Sequence, residues 1–308
     1  MSPPRSSGCE TGGENMAATT EIGWADSTTN FWIGCTKVCD ACGNCYAIPI
    51  AANLGIDWGD DAPRHRTSEQ EWRAPLRWNA MHDRGQTHMV VKGEAVPVPL
   101  WLFGNSLSDF FDNHPDVAPW REEAWTKVIR PTTLLRWLLL TKRIPNVLKM
   151  LPADWDGGRN YRHVGIIASV CNQAEFDRDV PRLVALKAHG VRWVGLSIEP
   201  HLGPVSIIGC PEARQLDWII SGGESTQIMP ARKYLLAWPR QLVTECRPLQ
   251  VPYFHKQLGS LAFDGERRIR TRHRAGADPS EWPADLRVQE WPRVYDQEPI
   301  SISQPTML

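Results

Sequence analysis

From Val98 onward the chain alternates short apolar runs with longer amphipathic stretches. The runs occupy residues 99–103, 134–140, 164–169, 191–197, 216–221 and 251–254. Each is too short for a stable helix and rich in Val, Ile, Leu and Trp, the pattern of a strand buried on both faces. Their starts lie roughly 25 to 35 residues apart, the length of a strand, a loop and a returning helix in a βαβ unit. Helices are predicted over 120–128, 145–150, 175–188 and 234–246, each with apolar positions at helical spacing. An earlier strand is predicted within 21–34, where Trp24, Phe31, Trp32 and Ile33 fall close together. The pattern predicts an α/β fold, a partial or complete (β/α) TIM-like barrel of about six to seven parallel strands.

The flanks read differently. Residues 1–20 carry Ser, Gly, Thr and Pro with almost nothing to bury, so a disordered N-terminal extension is expected, with Met16 as a candidate true start. The barrel is assigned to 21–260, with a Cys-rich loop at 35–45 and an irregular insertion at 56–96 that holds one helix, over 68–81. Residues 261–308 are expected to form a C-terminal extension packed on the barrel, disordered over 297–308.

Composition narrows the partners. With 42% apolar residues in 308, the chain can bury a substantial core. A formal charge of −1 argues against a broad positive field as the main means of holding nucleic acid. The local run Arg267-Arg268-Ile269-Arg270-Thr271-Arg272-His273-Arg274 is either a solvated face or a phosphate contact. No apolar run is long enough to span a bilayer and no secretory h-region is present, so a cytoplasmic protein without a membrane partner is expected.

Candidate chemistry centres on Cys35, Cys39, Cys42 and Cys45, four of the eight cysteines within one short loop. In a reducing compartment such density points to metal rather than disulfides. A structural zinc usually draws two cysteine pairs from separate loops, and Cys171, Cys210 and Cys246 are scattered singly, which reads as buried filler. An iron–sulfur cluster accepts thiolates from one compact loop. Three triplets have suitable spacing: Cys35-x3-Cys39-x2-Cys42, Cys39-x2-Cys42-x2-Cys45 and Cys35-x6-Cys42-x2-Cys45. Three thiolates leave one iron open to a small molecule, whereas four saturate the cluster.

The apolar runs end in polar groups: Asn105, Ser106 and Asp109; Lys142 and Arg143; Ser169; Ser197 and Glu199; Gly222, Gly223, Glu224 and Ser225; His255 and Gln257. In a parallel barrel these ends meet at one mouth, where such folds place their chemistry. Asn105 and Asp109 serve equally as helix caps.

Several motifs, in this order, carry a family resemblance: Glu21-Ile-Gly-Trp24, Gly34-Cys-Thr-Lys-Val38, Cys42-x-Asn44-Cys45-Tyr46-Ala47, Asn105-Ser-x-Ser-Asp109, Leu140-Thr-Lys-Arg143, Ser197-Ile-Glu-Pro200, Gly222-Gly-Glu-Ser225 and Lys256-Gln257-x-Gly259. The chain resembles the phage three-Cys-motif family (gene product thirty-seven/sixty-eight type, a domain of unknown function), itself similar to radical S-adenosylmethionine enzymes. That resemblance implies a [4Fe–4S] cluster on Cys35, Cys42 and Cys45, with Cys39 an extra candidate ligand. It further implies S-adenosylmethionine at the open iron, a reductant for the cluster, and a radical acting on an unknown substrate, possibly a nucleic acid or nucleoside. Asn105, Ser106, Lys142, Glu199, Gly222, Gly223, Glu224 and Ser225 are the expected cofactor-binding residues. The competing expectation is a non-catalytic phage accessory protein holding zinc or a saturated cluster. A hydrolytic zinc barrel fits less well, because the strand ends offer only His255 and no HxH pair.

Overall fold

A computed structural model describes residues 20–225 and 230–295. Of the segments expected to be disordered, 1–20 and 297–308, all but Thr20 lie outside the described residues, as do Met16 and Cys9 within the first. Seven strands form one sheet: β1 (Ser27–Thr29), β2 (Trp101–Gly104), β3 (Arg136–Thr141), β4 (Val164–Val170), β5 (Trp193–Ile198), β6 (Trp218–Gly222) and β7 (Tyr253–Gln257). They pair in chain order and every pairing is parallel. The sheet curls strongly into a half barrel interleaved with helices, a partial TIM-like barrel as the periodicity predicts.

Alternation within each strand explains the layering. In β3, Trp137 and Leu139 join the large outer core while Leu138 faces an inner cluster. In β4, Val164, Ile166, Ala168 and Val170 go outward and Ile167 inward. Apolar residues on both faces identify a sheet covered on both sides. α1 (Ala47–Asn53) packs through Ala47 and Ala51 on Ile33 and Leu107 beside the mouth, and outside the sheet lie α2 (Glu69–Asp83), α3 (Val117–Glu123), α4 (Ile144–Val147), α5 (Gln173–Ala185) and α6 (Ala237–Leu249). Inside, Trp24, Trp101, Trp193, Trp218 and Phe254 fill the bottom of the half barrel. Trp291 stacks on Trp218 at 5.5 Å, and Trp193 Nε1 donates to the Tyr295 hydroxyl at 2.9 Å. The aromatic plug leaves only the upper end of the interior for polar groups.

Two hairpins depart from the sequence reading. Within the insertion, His88–Val91 pairs with Glu94–Pro97 across a two-residue turn, Lys92 and Gly93, both at positive φ. Such a turn matches the twist of a hairpin, but its strands are largely exposed and lack an apolar face to announce them. In the C-terminal segment, Ala262–Asp264 pairs with Arg267–Ile269 and also runs parallel to Tyr234–Leu235. The 234–246 helix begins instead at Ala237. No helix among the described residues is long and apolar enough to cross a membrane.

Two buried histidines make the fold acid-sensitive. His255 packs edge-on to Trp282 at 4.7 Å, and His201 packs on Trp238 at 5.4 Å. Burial holds each imidazole neutral, lowering its pKa from 6.5 to about 3. Because the unfolded chain takes up protons that the folded chain refuses, their contribution is complete above pH about 6.5 and lost as pH falls towards 3. The expected loss by pH 5 is on the order of 1–2 kcal/mol per histidine. Urea unfolding at neutral and mildly acid pH measures it, and His255→Gln is expected to flatten the dependence.

Candidate metal centre

The mouth is built from the C-terminal ends of the strands and one loop laid across them. A cavity of about 210 Å³ is lined there by Cys35, Cys42, Cys45, Tyr46, Ser106, Lys142, Ser169, Glu199, Gly223, Glu224, Ser225 and Lys256, over a floor that includes Trp24, Phe103 and Leu140. Lys142 Nζ reaches Ser169 Oγ at 2.8 Å, and Lys256 Nζ lies 2.9 Å from Glu199 Oε1. Convergence of the strand ends thus brings together six of the eight expected cofactor-binding residues. Asn105 and Gly222 stand behind this wall. Asn105, at φ 63°, accepts from Phe31 N through Oδ1 and donates to Ser108 Oγ, so it shapes the turn after β2. At Gly222 a Cβ would come within 2.9 Å of Glu199 Oε1, so this position lets the carboxylate sit close to β6.

Buried charge fixes the cysteine loop. Arg143 Nη1 lies 2.9 Å from Asp109 Oδ2 and 3.5 Å from Cys35 Sγ, while its Nη2 donates to Thr36 O at 2.8 Å. Asp109 also accepts from Thr141 Oγ1 at 2.8 Å and Lys142 N at 3.0 Å. Arg64 holds the same loop from the other side, pairing with Asp112 at 2.9 Å and donating to Thr36 Oγ1 at 2.6 Å. At the far end Tyr46 donates to Ser106 O, and Asn44 to Glu224, which is itself ion-paired with Arg232. Burial pushes the Cys35 thiol up to about 12 against the pull of Arg143, and burial also raises Cys45.

The four loop cysteines do not share one environment. Cys39 leaves the cavity side and meets Cys171, directly after β4, and Glu175, in the first turn of α5. One ligand atom from each of Cys39, Cys171 and Glu175 lies within 4.8 Å of the others, and this is the group among the described residues placed to hold a metal ion. Cys171 and Glu175 are buried. Cys39 Sγ is also 3.8 Å from Cys42 Sγ, close to one edge of a thiolate tetrahedron around zinc, roughly 3.8 Å from Zn–S bonds of ~2.3 Å. Their contact raises the Cys42 thiol, while the hydrogen bond from Cys39 lowers that of Cys171.

This arrangement overturns the expected cofactors. The ligand group combines two thiols and a carboxylate from separate elements, not three cysteines of one loop, and so contradicts a [4Fe–4S] cluster with S-adenosylmethionine at its open iron. Cys171 is likewise more than apolar filler. Cys171 and Glu175 stand as a second candidate ligand pair, one thiol and one carboxylate. A signal was available: Asn172 caps α5 by accepting from Glu175 N at 2.9 Å, and Glu175 reaches back to Cys171 N at 2.8 Å. That near-capping-box spacing places the carboxylate beside the thiol.

Fold and site together define a half-barrel α/β protein with a thiol–carboxylate ligand group at its mouth. Residues 19–283 match the family model described as "Protein of unknown function (DUF5131)", and the chain belongs to that family. The match names neither a phage origin nor a radical enzyme. No curated protein matches the chain, and no solved structure matches it.

The buried pair that anchors the loop yields a direct prediction. Asp109→Ala leaves Arg143 buried with only its longer pairing to Asp112 Oδ1 at 3.7 Å, and the expected loss of stability is about 3 kcal/mol. Urea denaturation reads it as a lowered midpoint.

Proposed function

We propose that the protein binds one zinc ion through Cys39, Cys171 and Glu175, with Cys42 the nearest further thiol, and that the ion clasps the cysteine loop to the start of α5. The carrying observation is that ligand atoms from two elements far apart in sequence lie within 4.8 Å of one another. Two thiols and a carboxylate suit zinc, which takes Cys and Glu ligands without a ligand-field preference. The spacing Cys39-x2-Cys42 with Cys171-x3-Glu175 resembles the two-pair pattern of structural zinc sites. Zinc supplies charge and a fixed geometry here, and being redox-inert it needs no reductant. The protein contributes the frame: Arg143 and Arg64 hold one end of the loop, Asn44 and Tyr46 the other.

The role that fits is a non-catalytic clasp that keeps the mouth cavity in shape. Between Gly34 and Ala47 the loop has a single short 3₁₀ turn, Asp40–Asn44, too little backbone bonding to hold it by itself. The motif series from Glu21 to Gly259 supports placing this metal-binding protein among phage or prophage accessory proteins.

Metal analysis of the purified chain tests the reading. One equivalent of zinc is expected in the unmodified protein and less than about a tenth in Cys39→Ser or Cys171→Ser. Glu175→Gln is expected to weaken binding about ten-fold or more, in the range seen when a site loses a supporting group. Cobalt substitution is expected to give thiolate-to-metal charge-transfer absorption that disappears with Cys171. Zinc retained in Cys39→Ser but lost in Cys35→Ser would contradict the assignment.

A further inference from the structure

The metal site leaves the arginine run unexplained. Arg267, Arg268, Arg270 and Arg274 are all exposed on or just after the hairpin formed by Ala262–Asp264 and Arg267–Ile269. Three nearby carboxylates are committed elsewhere: Asp264 and Asp285 each lie 2.6 Å from Arg240, and Glu281 lies 3.2 Å from Arg272, while Glu266 is exposed in the hairpin turn. Among the described residues, none of the four arginines has a carboxylate within ion-pair distance. In a chain with 34 basic and 35 acidic side chains, such a concentration is a matter of placement, not composition.

The run is also joined to the mouth. Arg274 O accepts from Ser260 Oγ at 3.3 Å, and Ser260 N donates at 2.9 Å to the carbonyl of Glu224, which lines the cavity. Gly259 N bonds Ala275 O at 3.0 Å, so the segment after the arginines lies against the turn that follows β7. The wall of the same cavity carries Tyr46, which is exposed, and Trp58, which is half-buried, two aromatic rings that can take the face of a base. Exposed guanidinium groups beside a cavity with aromatic rings in its wall are the combination that binds single-stranded nucleic acid, with cations on the backbone and rings for the bases. An acidic protein surface would use the cations but leave the rings without a role.

We propose that Arg267, Arg268, Arg270 and Arg274 form a phosphate track that delivers a single strand of nucleic acid to the barrel mouth. The proposal goes beyond the zinc clasp and does not depend on it. The guanidinium groups contact phosphates in a sequence-independent way.

The test uses the full chain and a fluorescently labelled, mixed-sequence single-stranded oligonucleotide of about 20 nucleotides, followed by anisotropy across a salt series. Four phosphate contacts give a slope of log K against log salt near −3, at about −0.7 per phosphate. The triple substitution Arg267→Gln, Arg268→Gln and Arg270→Gln is expected to lower affinity at least about ten-fold and flatten that slope by about 2. Its melting temperature, compared with that of the unmodified chain, shows that the exposed hairpin still folds. The proposal is overturned if the unmodified chain fails to bind at low salt or shows a slope near zero, or if the folded triple variant binds as well as the parent. Displacement of the oligonucleotide by polyglutamate as readily as by unlabelled oligonucleotide overturns it too, because the surface would then be a general anion site.

Discussion

A half barrel has an open mouth, and a loop without strands of its own must be held across it. Here the loop at Gly34–Tyr46 is held chiefly by charge. Arg143 spans the gap from the end of β3 to Thr36 and Cys35, and Asp109 compensates its charge where both side chains are largely buried. Arg64 and Asp112 repeat the arrangement on the other side, with both side chains fully buried. A buried pair adds little net stability over an apolar substitute, yet losing one member is severe. Its value here is positional, since it fixes where the cysteine loop begins and hence which elements the later cysteines can meet.

The candidate metal-binding group follows from that placement. Cys39 is carried to the junction of β4 and α5, where the chain leaves a strand and caps a helix. The capping geometry turns Glu175 back towards Cys171, so a structural habit of helix starts supplies two of the three candidate ligand atoms. Cys35, Cys42 and Cys45 remain on the cavity wall beside Lys142, Glu199 and Lys256. The aromatic plug below, from Trp24 to Tyr295, keeps water and ligands at the upper end of the half barrel.

Much of the fold was legible because its strands are covered on both faces. Runs such as Leu138-Leu139-Leu140 and Ile166-Ile167 need no alternation to be seen, and their even spacing implies parallel pairing. The hairpins around Lys92 and Gly265 escaped because their strands run only three or four residues and bury little, so that turn geometry rather than apolar pattern defines them. The site was half legible. Four cysteines in one loop announce a metal, but sequence cannot show which of them face each other, nor that Cys39 meets a residue far along the chain. Glu175 carries no cysteine signature, so the candidate group that gathers on Cys39 becomes visible only in three dimensions.

The central claim is that one ion joins Cys39 to the β4–α5 junction, and X-ray absorption at the zinc edge on the purified protein tests it most directly. The account predicts a single zinc with mixed sulfur and oxygen neighbours, at about 2.3 Å and about 2.0–2.2 Å, and loss of a sulfur neighbour in Cys171→Ser. A spectrum unchanged by that substitution, or a protein whose sulfur-bound metal is iron in a cluster, would contradict it.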